Sequence, residues 1–114
     1  MPLSSRRNRR VSTAAVIGFG CYKVIGDSML PSYKANDFVL TFRWPKNKYH
    51  CGDVIVVKHN FFGVIIKRIE RIYASGLITL VGDNLAFSTD SKCLGMINLE
   101  QVLGRVIYHL PAPS

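Results

Sequence analysis

The chain has little of what a metal or disulfide framework needs. Its 114 residues hold three cysteines, Cys21, Cys51 and Cys93, at wide spacing, with no Cys-x-x-Cys and no paired histidines. Neither a full set of disulfides nor a zinc site can be written from them, which leaves free thiols of the kind a reducing compartment keeps. His50, His59 and His109 are scattered too and read as surface or packing residues, so no metal or other cofactor is expected. Acidic residues are also scarce, seven against fifteen lysines and arginines, for a formal net charge of +8. Such a balance can mark a nucleic-acid binder. Here, however, Arg6, Arg7, Arg9 and Arg10 crowd into the first ten residues and the other cations lie singly or in pairs, without the interleaved aromatics that stack on bases. No nucleic-acid partner is expected.

Long apolar runs are missing as well. After the arginines, Val11 to Tyr22 is uncharged over 12 residues and is interrupted by Gly18 and Gly20, whereas a bilayer-spanning helix needs about 20. A cleaved leader is not expected, because its removal would cut into the opening strand of the domain. The segment 1–23 therefore reads as a basic tail and lead-in strand, 24–110 as the folded domain and 111–114 as a short C-terminal tail. The location expected is cytoplasmic, with at most peripheral membrane contact through the basic tail.

What is present is enough for one domain. At 48% hydrophobic and 19% charged, the chain is outside the composition of disordered proteins, and at this length it can bury about two thirds of its unfolded surface in one module. Short runs rich in Val, Ile, Phe, Tyr and Thr predict strands at Phe38 to Phe42, Asp53 to His59, Val64 to Ile72, Leu77 to Val81 and Val102 to Leu110. Turn residues separate them at Asn36-Asp37, Cys51-Gly52-Asp53, Asn60 to Gly63, Ser75-Gly76 and Gly82-Asp83-Asn84. No window carries an apolar stripe at helical spacing. The fold expected is mostly β, with short antiparallel strands closing on one core.

Three polar clusters punctuate the strands: Gly26-Asp27-Ser28-Met29-Leu30-Pro31, Lys67-Arg68, and Gly82-Asp83-Asn84 running on to Ser88, Asp90 and Ser91. A nucleophilic serine must project from a tight turn with backbone N–H groups near the developing oxyanion. Gly26 gives that turn its conformational freedom and Pro31 fixes its exit. The histidines make poor bases for Ser28, since none lies in a turn motif with an acidic partner. A lysine can serve only if burial lets it lose its proton near neutral pH. Lys67 shares a strand face with Ile65 and Ile69 by period-2 alternation, which surrounds it with a desolvating wall.

These clusters, with Asn36-Asp37-Phe38-Val39-Leu40, Gly52-Asp53-Val54-Ile55-Val56-Val57 and Gly104-Arg105-Val106, resemble in order the boxes of type I signal peptidases. The resemblance runs from about Gly26 to Val106, over two thirds of the chain. It implies a Ser/Lys serine endopeptidase with a signal-peptidase and repressor type of β-fold. Ser28, followed by Met29 in its box, would be the nucleophile and Lys67 the general base. Ser88 would orient the lysine, and Asp90 would brace the site with a cation at Lys92, where Arg is usual. Gly26 stands where many bacterial members place a hydroxyl that completes the oxyanion hole, so backbone N–H groups would have to form it here.

The compact form is similar to the small family members that mature nickel-type superoxide dismutase by removing an N-terminal propeptide. The partner this implies is a precursor protein with small residues before the cut. Two other readings stand beside it. One is a self-cleaving repressor-type Ser/Lys peptidase, although no Ala-Gly or Cys-Gly dipeptide precedes Ser28. The other is a non-enzymatic small β-barrel binding module.

Overall fold

The structure, a computed structural model, describes residues 3–4, 18–87 and 93–113. Eight antiparallel strands form one sheet: β1 (Leu3–Ser4), β2 (Phe19–Val24), β3 (Phe38–Phe42), β4 (Val54–His59), β5 (Gly63–Ile72), β6 (Leu77–Val81), β7 (Met96–Asn98) and β8 (Val102–Leu110). The order across the sheet is β1-β2-β3-β8-β4-β5-β6-β7. Among the described residues the helical content is confined to short turns, the 3-10 turns Lys46–Lys48, Leu85–Phe87 and Leu99–Gln101 and a helical pair at Cys93 and Leu94, so the mostly β expectation is met.

Local chemistry accounts for the hairpins. β4 and β5 pair from Val54↔Arg68 to His59↔Gly63, and the turn between them is held by His59, whose Nδ1 accepts the N–H groups of Phe61 and Phe62 at 3.0 and 3.2 Å. That fixes the ring proton on Nε2, which donates to the carbonyl of Leu94 at 2.9 Å. His59 is thus a packing residue, as its isolation in the sequence suggested.

Alternation along β4 and β5 divides the core into two lobes. Ile55, Val57, Ile65 and Ile69 pack with Ile78, Leu80, Ile97 and Val102. Val54, Val56 and Ile66 face the other way and pack with Tyr22, Val24, Met29 and Val39. Since successive strand residues point to opposite faces, these shared strands lie between the lobes. The second lobe draws on β2, β3, β4 and β5, with Leu103 and Val106 of β8 packed against it, so this half of the sheet curls on itself and β1 comes to lie against β5. The backbone carbonyl of Ser28 and the amine of Lys67 both lie beside Gly82, just after β6.

Candidate active site

Ser28 is carried by the loop that follows β2. The neck of this loop is closed by Val24 N–H to the Asp37 carbonyl at 2.7 Å and Asn36 N–H to the Val24 carbonyl at 2.8 Å. Inside it, Gly26 adopts φ +86°, a left-handed conformation that residues with a Cβ rarely take, and Tyr33 N–H donates to the Met29 carbonyl at 2.9 Å. Met29 is buried in the second lobe and anchors the turn from below. Gly26 and Met29 therefore shape and hold the turn that carries Ser28.

The same loop is braced at its far end by Asp37. Its buried carboxylate accepts the N–H groups of Lys34 at 2.9 Å and Ala112 at 2.8 Å, and pairs with His109 Nε2 at 2.7 Å. Burial alone would push this carboxyl up, but the two N–H donors and His109 outweigh it and hold it below the ordinary carboxylate value. The His109 ring also packs at 4.6 Å from Tyr33. His109, read from the sequence as a surface or packing residue, thus has an acidic partner 72 residues away.

Lys67 comes from the middle of β5, opposite Ile55. It is 2% exposed and Ser28 1%, and among the described residues Lys67 is the only lysine or arginine that is buried. Gly82, just after β6, brings the two together. A Cβ on Gly82 would lie 2.7 Å from the carbonyl oxygen of Ser28 and 3.3 Å from Lys67 Nζ, so backbone, amine and serine turn converge on one point that only glycine leaves open.

The loop after Gly82 fastens this arrangement. Asn84 donates its N–H to the Ser28 carbonyl at 2.9 Å and its Nδ2 to the Asp27 carbonyl at 2.9 Å. Arg68 forms a two-pronged pair with Asp83, Nε to Oδ1 at 2.8 Å and Nη2 to Oδ2 at 2.7 Å, and donates Nη1 to the Gly52 carbonyl at 2.7 Å. Bidentate pairs of this kind fix orientation as well as distance. The Arg68 guanidinium, helped by the Ser32 hydroxyl, holds the Asp83 carboxyl below its ordinary value. Alternation thus sends two adjacent cations to different work: Lys67 to the serine turn, Arg68 to the loop that caps it. Ser88, Asp90 and Lys92 lie outside the described residues. Among the described residues no three His, Cys, Asp or Glu side chains gather as a metal site would require.

The Peptidase S24-like family matches residues 16–107, most of the chain, including Ser28, Lys67 and Gly82. The protein belongs to the Peptidase S24-like family. The family agrees with a serine-peptidase type of fold, and no curated protein matches the chain. What the sequence did not disclose of this S24-like site is the bracing: the Arg68–Asp83 fork, the Asp37–His109 pair and the point contact at Gly82 all join residues far apart in the chain. The only local signal was the placement of Arg68 and Asp83 inside polar clusters.

Proposed function

We propose that this S24-like protein is a Ser/Lys endopeptidase in which Ser28 attacks the scissile carbonyl and Lys67 takes the hydroxyl proton, then returns it to the leaving amine. The observation that carries this reading is the convergence of the Ser28 turn and a buried lysine amine on Gly82. A charged amine taken out of water costs several kcal/mol, which favours a chemical task over packing. Backbone N–H groups of the serine turn would receive the oxyanion, and Ser88 would orient the amine.

The substrate is a precursor protein from which an N-terminal propeptide or signal-like segment is removed, and maturation of nickel superoxide dismutase is the specific assignment put forward. Substrate would bind as an added strand, with main-chain hydrogen bonds giving affinity and shallow pockets selecting small side chains. An open edge suits this: β5 pairs with β4 along Gly63–Arg68 but with β6 only from Arg68 onward, so the stretch leading into Lys67 is unpaired with β6. Incubating the protein with a nickel superoxide dismutase precursor and sequencing the new N-terminus tests the assignment; an intact precursor overturns it.

The family match also favours self-cleavage of the repressor type as a second reading. Truncation of the purified protein on standing, at a rate independent of its concentration, would select that reading over cleavage of a separate precursor. We place the enzyme in the cytoplasm or loosely at a membrane surface. Among the described residues no helix is long and apolar enough to cross a membrane.

A further inference from the structure

The loop that carries Ser28 runs from the end of β2 to the start of β3 and contains only turns. A nucleophile on such a segment is placed by whatever holds the segment from outside, and Ser28 has to be placed against a lysine on a different strand. Asn84 holds the side of the loop next to Gly82. The opposite side is held by the far end of β8.

An irregularity in β8 brings this about. Phe42 pairs with Arg105 and Thr41 with Val106, but Leu40 pairs with Tyr108 and Val39 with His109, so Ile107 is an extra residue without a partner on β3. Direct partners on neighbouring strands share a face of the sheet. Under regular alternation from Arg105, His109 would fall on the face of Arg105 and Phe42. The bulge reverses the phase and puts His109 on the face of Val39, which packs in the second lobe with Met29 of the serine loop. Bulges that re-aim a side chain in this way are common beside active sites.

Turned this way, His109 reaches the loop by two routes. Its Nε2 donates to Asp37 Oδ2 at 2.7 Å, while the N–H of Ala112 donates to the other carboxylate oxygen at 2.8 Å. Asp37 in turn fixes the loop's neck, since its carboxylate accepts the N–H of Lys34 and its carbonyl accepts the N–H of Val24. The imidazole also packs 4.6 Å from the ring of Tyr33, whose N–H donates to the carbonyl of Met29, the residue after Ser28. We propose that His109 is a positioning residue for Ser28, and that with Ala112 it makes the end of β8 a clamp that sets the serine against Lys67. This rests on the peptidase reading above and adds to it a residue that acts through Asp37 and Tyr33 rather than on the substrate.

The clamp contributes to the rate rather than to binding. A shift of about 1 Å in a reacting group can cost about a hundredfold in rate, whereas a peptide held by main-chain hydrogen bonds at a strand edge keeps those bonds when the serine loop slackens. Three variants separate the parts. His109→Phe keeps a ring against Tyr33 and removes the donor to Asp37; His109→Gln keeps a donor without the ring; Ala112→Pro removes only the second N–H.

Each is assayed on an extended peptide with Ala at the first and third positions before its central bond, and amide hydrogen exchange is followed on the same proteins. His109→Phe and Ala112→Pro should each lower kcat about tenfold or more while KM stays within about twofold, and His109→Gln should keep most of the rate. Exchange at Tyr33 and Lys34 should quicken in the two impaired variants and stay as in the parent along β4 and β5. An equal loss of kcat in His109→Gln, a raised KM with kcat unchanged, or unaltered exchange at Tyr33 and Lys34 would each overturn the proposal. Faster exchange along β4 and β5 as well would show general support of the fold, which overturns it too. If the parent cuts no peptide, it is the peptidase reading that fails, and exchange at Tyr33 and Lys34 alone decides whether β8 clamps the loop.

Discussion

Gly82 shows how far one hydrogen in place of a methyl group decides the site. A methyl there would sit 2.7 Å from the Ser28 carbonyl and 3.3 Å from Lys67 Nζ, inside van der Waals contact with a backbone that Asn84 already holds. Gly82→Ala should therefore cost about 1–3 kcal/mol by overpacking and should reduce peptide cleavage beyond what the loss of stability explains. Thermal unfolding and turnover measured on the same preparation separate the two effects. Ser28→Ala and Lys67→Met should each abolish cleavage and leave the circular dichroism spectrum unchanged, and the double variant should be no worse than either, because the pair acts as a unit. Substantial turnover by either purified single variant would remove the dyad. Lys67→Met should also match or exceed the parent in stability, since it puts an apolar chain of similar length in a buried position.

Among the elements, the β4–β5 hairpin is the one most dependent on a single side chain. His59 supplies one acceptor to two turn N–H groups and one donor to the Leu94 carbonyl, so His59→Ala leaves three backbone groups to find other partners. A loss of about 1–3 kcal/mol follows, and denaturant unfolding would detect it. Legibility in the sequence varied with the range of the interaction. Strands β3, β6 and β8 have the limits that their β-branched and aromatic runs predict, and β4 and β5 differ from prediction by one residue at one end. These strands write their identity in period-2 alternation, which is local. β7 escaped notice because it has three residues and only Ile97 is buried, and β1 has two. Ser28 and Lys67 stood out locally, in a tight turn and on an apolar strand face, but it was the resemblance to signal peptidase boxes that singled them out as a pair. Their proximity, and the forks at Asp83 and Asp37, depend on pairing between distant strands, for which a single sequence carries no periodic signal.

For the molecule as a whole, acid should weaken the fold through two carboxylates. Asp83 beside Arg68, and Asp37 under Lys34, Ala112 and His109, both titrate below their ordinary value of 3.8 in the folded chain. Each therefore binds a proton less readily when folded than when unfolded. Its contribution is complete above the unfolded value and is lost as pH falls through the lower folded one. The melting temperature should hold steady down to about pH 5 and fall below about pH 4, with a shallower fall in Asp37→Asn. On the substrate side, Trp or Arg placed immediately before the cut should stop cleavage, and an enzyme indifferent to that change would contradict the small pocket. In fractionation, a protein held only by its basic tail should leave membranes in a high-salt wash. Material that needs detergent for release would mean that the segment after the arginines inserts, and would shift the substrates towards exported proteins.

The position of β8 has a consequence for the timing of synthesis. Among the described residues it is the only strand that hydrogen-bonds both to the group β1-β2-β3 and to the group β4-β5-β6-β7. Ser28 lies within the first group; Lys67 and Gly82 belong to the second. A ribosome that has made both groups but not yet β8 thus displays two sheets with no strand pairing between them, joined only by side-chain packing and loop contacts, and long-range pairings of this kind are slow to form. On the proposed Ser/Lys reading, cleavage should therefore appear only once β8 has joined the halves, and a chain ending before Val102 should be inactive.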